Sequence, residues 1–171
     1  MSQHSEIIGF IGLGNMGGAM CDRLVKAGYP VSVYDVRSEA VQQLVDRGAE
    51  PRASASECAA QVDLLFTSLP RPDHVKEVMG GVDGALQTLR PGSVWVDLTT
   101  NQLELVHTLA EQAPPGVDVV DSPVTGAVDG ARNGALTLFV GGEETVVERV
   151  SPVLENLGLV IPTGRLGSGN V

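Results

Sequence analysis

The sequence predicts a doubly wound α/β domain: a mostly parallel sheet with helices on both faces. Three observations predict it. Short β-branched apolar runs alternate with helix-period stretches. The runs are apolar on both sides, as in strands of a parallel sheet covered twice. The first run opens directly into a glycine-rich turn. Alternation of strand and helix is the pattern of layered α/β domains.

The apolar runs fall at residues 7–11, 31–35, 62–67, 93–97, 117–121, 136–140 and 159–161. The stretches between them are long enough for crossover helices. In the first, Met16, Met20, Leu24 and Ala27 form one apolar stripe, with Arg23 and Lys26 off it and Gly28 at its end. In the second, Val41, Leu44 and Val45 make the buried side and Gly48 closes it. Asn101 is placed to cap a helix carrying Leu105, Leu109 and Ala110, which Pro114-Pro115 stops. Residues 143–157 read as the last helix. Met1 to Glu6 is a polar, frayed lead-in to the first strand.

Composition narrows the function classes. The 171 residues are 43% hydrophobic and 19% charged, which excludes intrinsic disorder. The net charge of -10 repels phosphodiester backbones and anionic lipid, and the 11 Lys and Arg form no patch. Neither nucleic acid nor membrane is expected as a partner. No apolar run reaches the ~20 residues of a membrane helix, and the N-terminus lacks signal-peptide order. Cys21 and Cys58 belong to no C-x-x-C pair and read as reduced, partly buried thiols, so the expected location is cytoplasmic. Asp97, Asp118 and Asp121 read as scattered strand residues without His ligands, so no metal site is expected.

The functional signal begins at Gly12-Leu13-Gly14-Asn15-Met16-Gly17, a G-x-G-x-x-G between strand and helix. Gly12 permits the tight turn, Gly14 lets a pyrophosphate approach, and Gly17 lets helix and strand pack closely. The first-turn N–H groups and the helix dipole face the phosphates. Asp35 ends the second run 23 residues after Gly12, near the ~20 of dinucleotide-binding domains. This spacing makes the domain Rossmann-type. A carboxylate there accepts both ribose hydroxyls of NAD and repels the 2′-phosphate of NADP. Arg37 and Ser38 keep NADP open. Residues 67–70 and 97–100 lie at further C-terminal strand ends. Their hydroxyls and amides serve either ribose and nicotinamide or ordinary turns and caps.

Phe10-Ile11-Gly12-Leu13-Gly14-Asn15-Met16-Gly17 resembles the opening signature of the β-hydroxyacid dehydrogenases. That family includes 3-hydroxyisobutyrate dehydrogenase, tartronate semialdehyde reductase and 6-phosphogluconate dehydrogenase. Asp121-Ser122-Pro123-Val124-Thr125-Gly126-Ala127 is similar to its substrate motif D-A-P-V-S-G-G, and residues 130–142 continue it. Leu69-Pro70 and Asp97-Leu98-Thr99-Thr100 resemble family landmarks around the cofactor. Tyr34-Asp35-Val36 fits the NAD-using pattern, which is most like 3-hydroxyisobutyrate dehydrogenase.

The resemblance implies hydride transfer between a nicotinamide cofactor and a short 3-hydroxy acid whose carboxylate is held in place. It implies cofactor contacts at Gly12, Leu13, Gly14, Asn15, Met16, Gly17, Asp35, Leu69, Pro70 and Thr100. It implies substrate contacts at Thr125, Gly126 and Ala127, where Thr125 stands for the usual Ser and Ala127 for the usual Gly. The family's proton-transfer Lys lies in a G-x-G-x-x-x-K pattern followed four residues on by Asn. Gly167-Ser168-Gly169-Asn170-Val171 begins that pattern and stops two positions before the Lys. Lys26, Lys76, His74 and His107 match no catalytic position of the family.

The expectation is therefore a dinucleotide-binding domain over residues 1–163, with 164–171 starting the interdomain helix. That helix leads to an all-α domain that completes the active site and makes the homo-oligomer contact. Alone, the chain is expected to bind NAD and to turn over slowly or not at all. Three other readings remain: a non-catalytic dinucleotide-binding module, another reductase of imine reductase type, and a purely structural α/β domain.

Overall fold

The computed structural model describes residues 6–171, so the lead-in at Met1–Ser5 lies outside the described residues. The strands are β1 (Ile8–Ile11), β2 (Val31–Tyr34), β3 (Glu50–Pro51), β4 (Leu64–Thr67), β5 (Val94–Asp97), β6 (Asp118–Asp121), β7 (Val124–Thr125), β8 (Leu136–Gly141) and β9 (Gly158–Gly164). The helices are α1 (Asn15–Lys26), α2 (Ser38–Val45), α3 (Ala55–Ala59), α4 (Pro72–Gly80), α5 (Leu103–Gln112), α6 (Ala127–Asn133) and α7 (Glu144–Leu154).

The sheet runs β3-β2-β1-β4-β5-β6-β8-β7, with β9 also on β8. From β3 to β6 every pairing is parallel. β8 then runs antiparallel to β6 and to β7. The chain leaves β1 in one direction and reaches β4 in the other, so the order reverses between them. At such a switch point the loops after the strand C-termini part, and ligands bind there.

Each face of the sheet has its own core. Ile8, Phe10, Met20, Leu24, Phe66 and Val150 belong to one. Ile11, Leu65, Met79, Trp95 and Leu109 belong to the other. β1 and β4 show why their runs are apolar throughout: all four residues of each are buried, alternating between the two cores. Phe10 and Phe66, opposite one another in the register, stack at 5.9 Å between ring centroids.

Several local expectations are refined by tertiary packing. Met20 and Leu24 are buried, whereas Met16 and Ala27 pack only partly against the core. In α2 the buried residues are Ala40 and Leu44, with Val41 half-buried at the margin. Asn101 does not cap α5. Gln102 holds the cap position without a side-chain bond, and Asn101 instead donates Nδ2 to Asp97 Oδ2 at 2.9 Å. Both cysteines are buried and free. Burial pushes the Cys58 thiol up to about 12 and the Cys21 thiol well above its ordinary value.

Candidate functional site

The three loop glycines have three different environments. Gly12 has φ +97, and a Cβ there would run into the Ser68 carbonyl. A Cβ on Gly17 would strike the Gly12 carbonyl. Both positions exclude a side chain for reasons internal to the protein. Gly14 is different. Among the described residues its Cβ would meet only Arg37 Nη2, at 3.9 Å. Its empty face looks outward at the start of α1, where the first amides lack helical acceptors. That face leaves an open cradle beside the first amides, and a methyl on Gly14 would occupy it.

The Asp35 side chain turns toward this cradle. Its Oδ2 accepts the Leu13 amide at 2.7 Å, and its Oδ1 accepts the Arg37 amide at 2.8 Å. Only 10% of the side chain is exposed, and Arg37 Nε stands 3.4 Å from Oδ1. Exposed ion pairs of this kind contribute at most ~1 kcal/mol. The backbone amides, not the guanidinium, fix the carboxylate.

A cleft of about 570 Å³ opens over these groups, with Gly12, Gly14, Asn15, Met16, Gly17, Asp35, Leu69 and Pro70 in its wall. Ile11, Tyr34, Val36, Arg37, Ser68, His74 and Val78 complete the lining. Leu13 takes part through its amide, since its side chain is 4% exposed and packs in the core. The helical pattern of α4 marked neither His74 nor Val78 as a cleft residue, because that depends on how α4 leans over the switch point.

Thr100 lies elsewhere. It lines a separate cavity of about 310 Å³ with Pro123, Val124, Phe139 and Asn170. Thr125, Gly126 and Ala127 are exposed beside it and line neither cavity. Gly126 and Ala127 both have positive φ, +131 and +56. The turn thus requires at Ala127 a left-handed backbone that glycine adopts freely and alanine does not.

The loop hydroxyls at Thr67 and Thr99 are engaged inside the protein. Thr67 Oγ1 accepts from Trp95 Nε1 and donates to Asp97 Oδ1, both at 2.9 Å. Thr99 Oγ1 accepts the Leu69 amide at 3.0 Å. Nor are Asp97 and Asp121 scattered: they are register partners on β5 and β6. Asp121 accepts the Gly167 amide at 2.7 Å and Asn170 Nδ2 at 3.0 Å. Asn170 Oδ1 in turn accepts the Asn101 amide at 2.7 Å. One polar chain therefore runs from Trp95 to Gly167 across three strand ends. Among the described residues no group of His, Cys, Asp and Glu could hold a metal ion, and no helix is long and apolar enough to cross a membrane.

Comparison with known proteins adds an independent line. The domain family described as the NAD binding domain of 6-phosphogluconate dehydrogenase matches residues 7–164. 3-Hydroxyisobutyrate dehydrogenase of Pseudomonas aeruginosa is 39% identical over 166 residues, 96% of this chain and 56% of that protein. The structure of Mycobacterium tuberculosis 3-hydroxyisobutyrate dehydrogenase with L-serine matches at TM-score 0.91 and 32% identity, covering 98% of this chain and 57% of that one. An imine reductase variant from Myxococcus stipitatus with NAD+ shares the fold alone, at TM-score 0.86 and 21% identity over 98% of this chain and 57% of that one. The chain spans about half the length of the curated relatives it matches.

Proposed function

The chain belongs to the family of the NAD binding domain of 6-phosphogluconate dehydrogenase, and on that premise we propose that it is the cofactor-binding half of a dehydrogenase acting on a short 3-hydroxy acid. The observation that carries the reading is the pairing of an open Gly14 face with an Asp35 carboxylate bonded to the neighbouring Leu13 amide. Phosphates and an adjoining ribose are the chemistry that pair accommodates. The likeness in sequence to 3-hydroxyisobutyrate dehydrogenase supports the substrate class.

In this reading, the amides of residues 14–17 hold the two phosphates, assisted by the α1 dipole. Gly12 and Gly17 keep the turn tight enough for those amides to converge. Asp35 accepts the ribose hydroxyls with lone pairs left over from its amide bonds. Leu69 and Pro70 wall the cleft on the β4 side. The choice is NAD over NADP, because a 2′-phosphate beside the Asp35 carboxylate meets like charge. Arg37 softens that discrimination.

When bound, the nicotinamide supplies the hydride-accepting carbon. The residues of this chain orient the partner. Thr100 lines the separate cavity of about 310 Å³, which this reading assigns to the reaction end of the bound cofactor. The Thr125 hydroxyl and the Gly126 and Ala127 amides hold the substrate carboxylate, leaving its alcohol carbon facing the cofactor. Residues 164–171 lead toward a second unit that supplies the proton-transfer Lys and the contact between copies.

The test is NAD reduction by the full gene product with 3-hydroxyisobutyrate and related short 3-hydroxy acids, followed at 340 nm. Turnover with a 3-hydroxy acid, and none with its carboxamide, supports the reading. NAD binding without reduction by any such acid leaves a binding module instead.

A further inference from the structure

We propose that Asp121 is a positioning residue: its buried carboxylate ties together the two segments that wall the Thr100 cavity, and so sets the seat of the nicotinamide end of the cofactor. The inference rests on the dinucleotide reading above and gives a task to a carboxylate that reading leaves unused.

Asp121 ends β6 fully buried. It forms no ion pair among the described residues. Its partners are instead three N–H groups of one short turn. Oδ1 accepts the Gly167 amide at 2.7 Å. Oδ2 accepts the Asn170 amide at 3.1 Å and Asn170 Nδ2 at 3.0 Å. Burying a carboxylate without a cation costs free energy that packing alone does not require. The charge-assisted bonds offset that cost and fix the turn. Two glycines make room for them. A Cβ on Gly141 would strike Asp121 Oδ1, and one on Gly169 would crowd Asp121 Oδ2 and the Phe139 carbonyl.

The turn passes the constraint on. Asn170 Oδ1 accepts the Asn101 amide at 2.7 Å, one residue past Thr100. Asn101 Nδ2 donates to Asp97, the register partner of Asp121. The cavity wall takes Thr100 from one of these segments and Ser168, Gly169 and Asn170 from the other. Neither Gly14 nor Asp35 lines it. A change at Asp121 therefore reaches the Thr100 cavity and spares the glycine turn.

The experiment is calorimetric titration of the 171-residue chain with NAD and with ADP-ribose, which lacks the nicotinamide. The native chain is expected to bind NAD more tightly than ADP-ribose. Asp121→Asn and Asn170→Ala are each expected to weaken NAD about tenfold, the scale of one lost hydrogen bond to a charged group. Both are expected to leave ADP-ribose within about twofold, as for a distant site. A role in stability alone would not separate the two ligands. Should Asp121→Asn fail to fold, Asn170→Ala carries the test together with amide exchange in the unliganded protein. Exchange at Asn101 is expected to quicken if the tie is lost, and unchanged exchange would overturn the inference. Unchanged NAD affinity in a folded Asp121→Asn or in Asn170→Ala, equal losses for both ligands, or a native chain that binds the two alike would each overturn it and leave the phosphate and ribose assignments standing. Absence of binding of either ligand to the native chain would overturn both.

Discussion

Asp35 accepts the Leu13 amide at 2.7 Å, which ties the end of β2 to the glycine turn after β1. The residue proposed to hold the ribose thus also sets the shape of the glycine turn. Asp35→Ala orphans the Leu13 and Arg37 amides together, at a cost of about 1–3 kcal/mol in unfolding free energy. It also removes the charge that disfavours a 2′-phosphate. The expected result is a loss of at least about tenfold in NAD affinity with little loss for NADP. Titration of both cofactors into the variant checks this, and equal losses would contradict the specificity argument.

Gly12 and Gly14 are two residues apart and are expected to fail differently. Gly12→Ala forces a Cβ against the Ser68 carbonyl at φ +97. It should destabilise the domain by about 2 kcal/mol or more. Gly14→Ala meets open space and an extended N-cap backbone at φ -67. It should unfold within about 0.5 kcal/mol of the native protein yet lose NAD binding. Thermal unfolding with and without NAD separates the two. A destabilised Gly14→Ala would show that the cradle is filled from within.

Ala127, the first residue of α6, sits at φ +56. Ala127→Gly removes strain of about 1 kcal/mol. For a domain of this size that is a rise of about 2–4 °C in Tm. A fall would mean that glycine's extra freedom in the unfolded chain outweighs the strain.

Asp97 carries a pH signature. Burial raises its carboxyl above the ordinary range, against hydrogen bonds from Asn101, Thr99 and Thr67 that lower it. The folded protein therefore holds this proton more tightly than the unfolded chain does. The stabilisation is fully present below about pH 3.9 and is lost as pH climbs through the raised value. The stability difference between the native protein and Asp97→Asn should shrink as pH rises above the ordinary carboxylate range. Parallel profiles would assign the proton elsewhere.

The sequence shows the fold where strands are apolar on both faces. β1, β4 and β5 declare themselves because every residue is buried. β3 and β7 do not, being two residues each and without a buried residue. α6 is hidden by Gly130 and its flanking glycines, which break the helical pattern. The glycine turn and Asp35 are legible because their spacing follows from the βαβ unit itself. The Asp97–Asp121 alignment is not, since it arises from the register of β5 on β6. Thr67 and Thr99 could be read as ligand groups or as turn groups, and only the position of the Asp97 carboxylate and the Leu69 amide decides.

The proposed function requires the β1–α1 corner to hold the phosphates while Asp35 holds the adjoining ribose. Calorimetric titration of the unmodified chain with NAD and NADP tests it most directly. Saturable one-to-one binding of NAD and weaker binding of NADP are expected. Failure of both to bind, or identical affinities for the two, would contradict it.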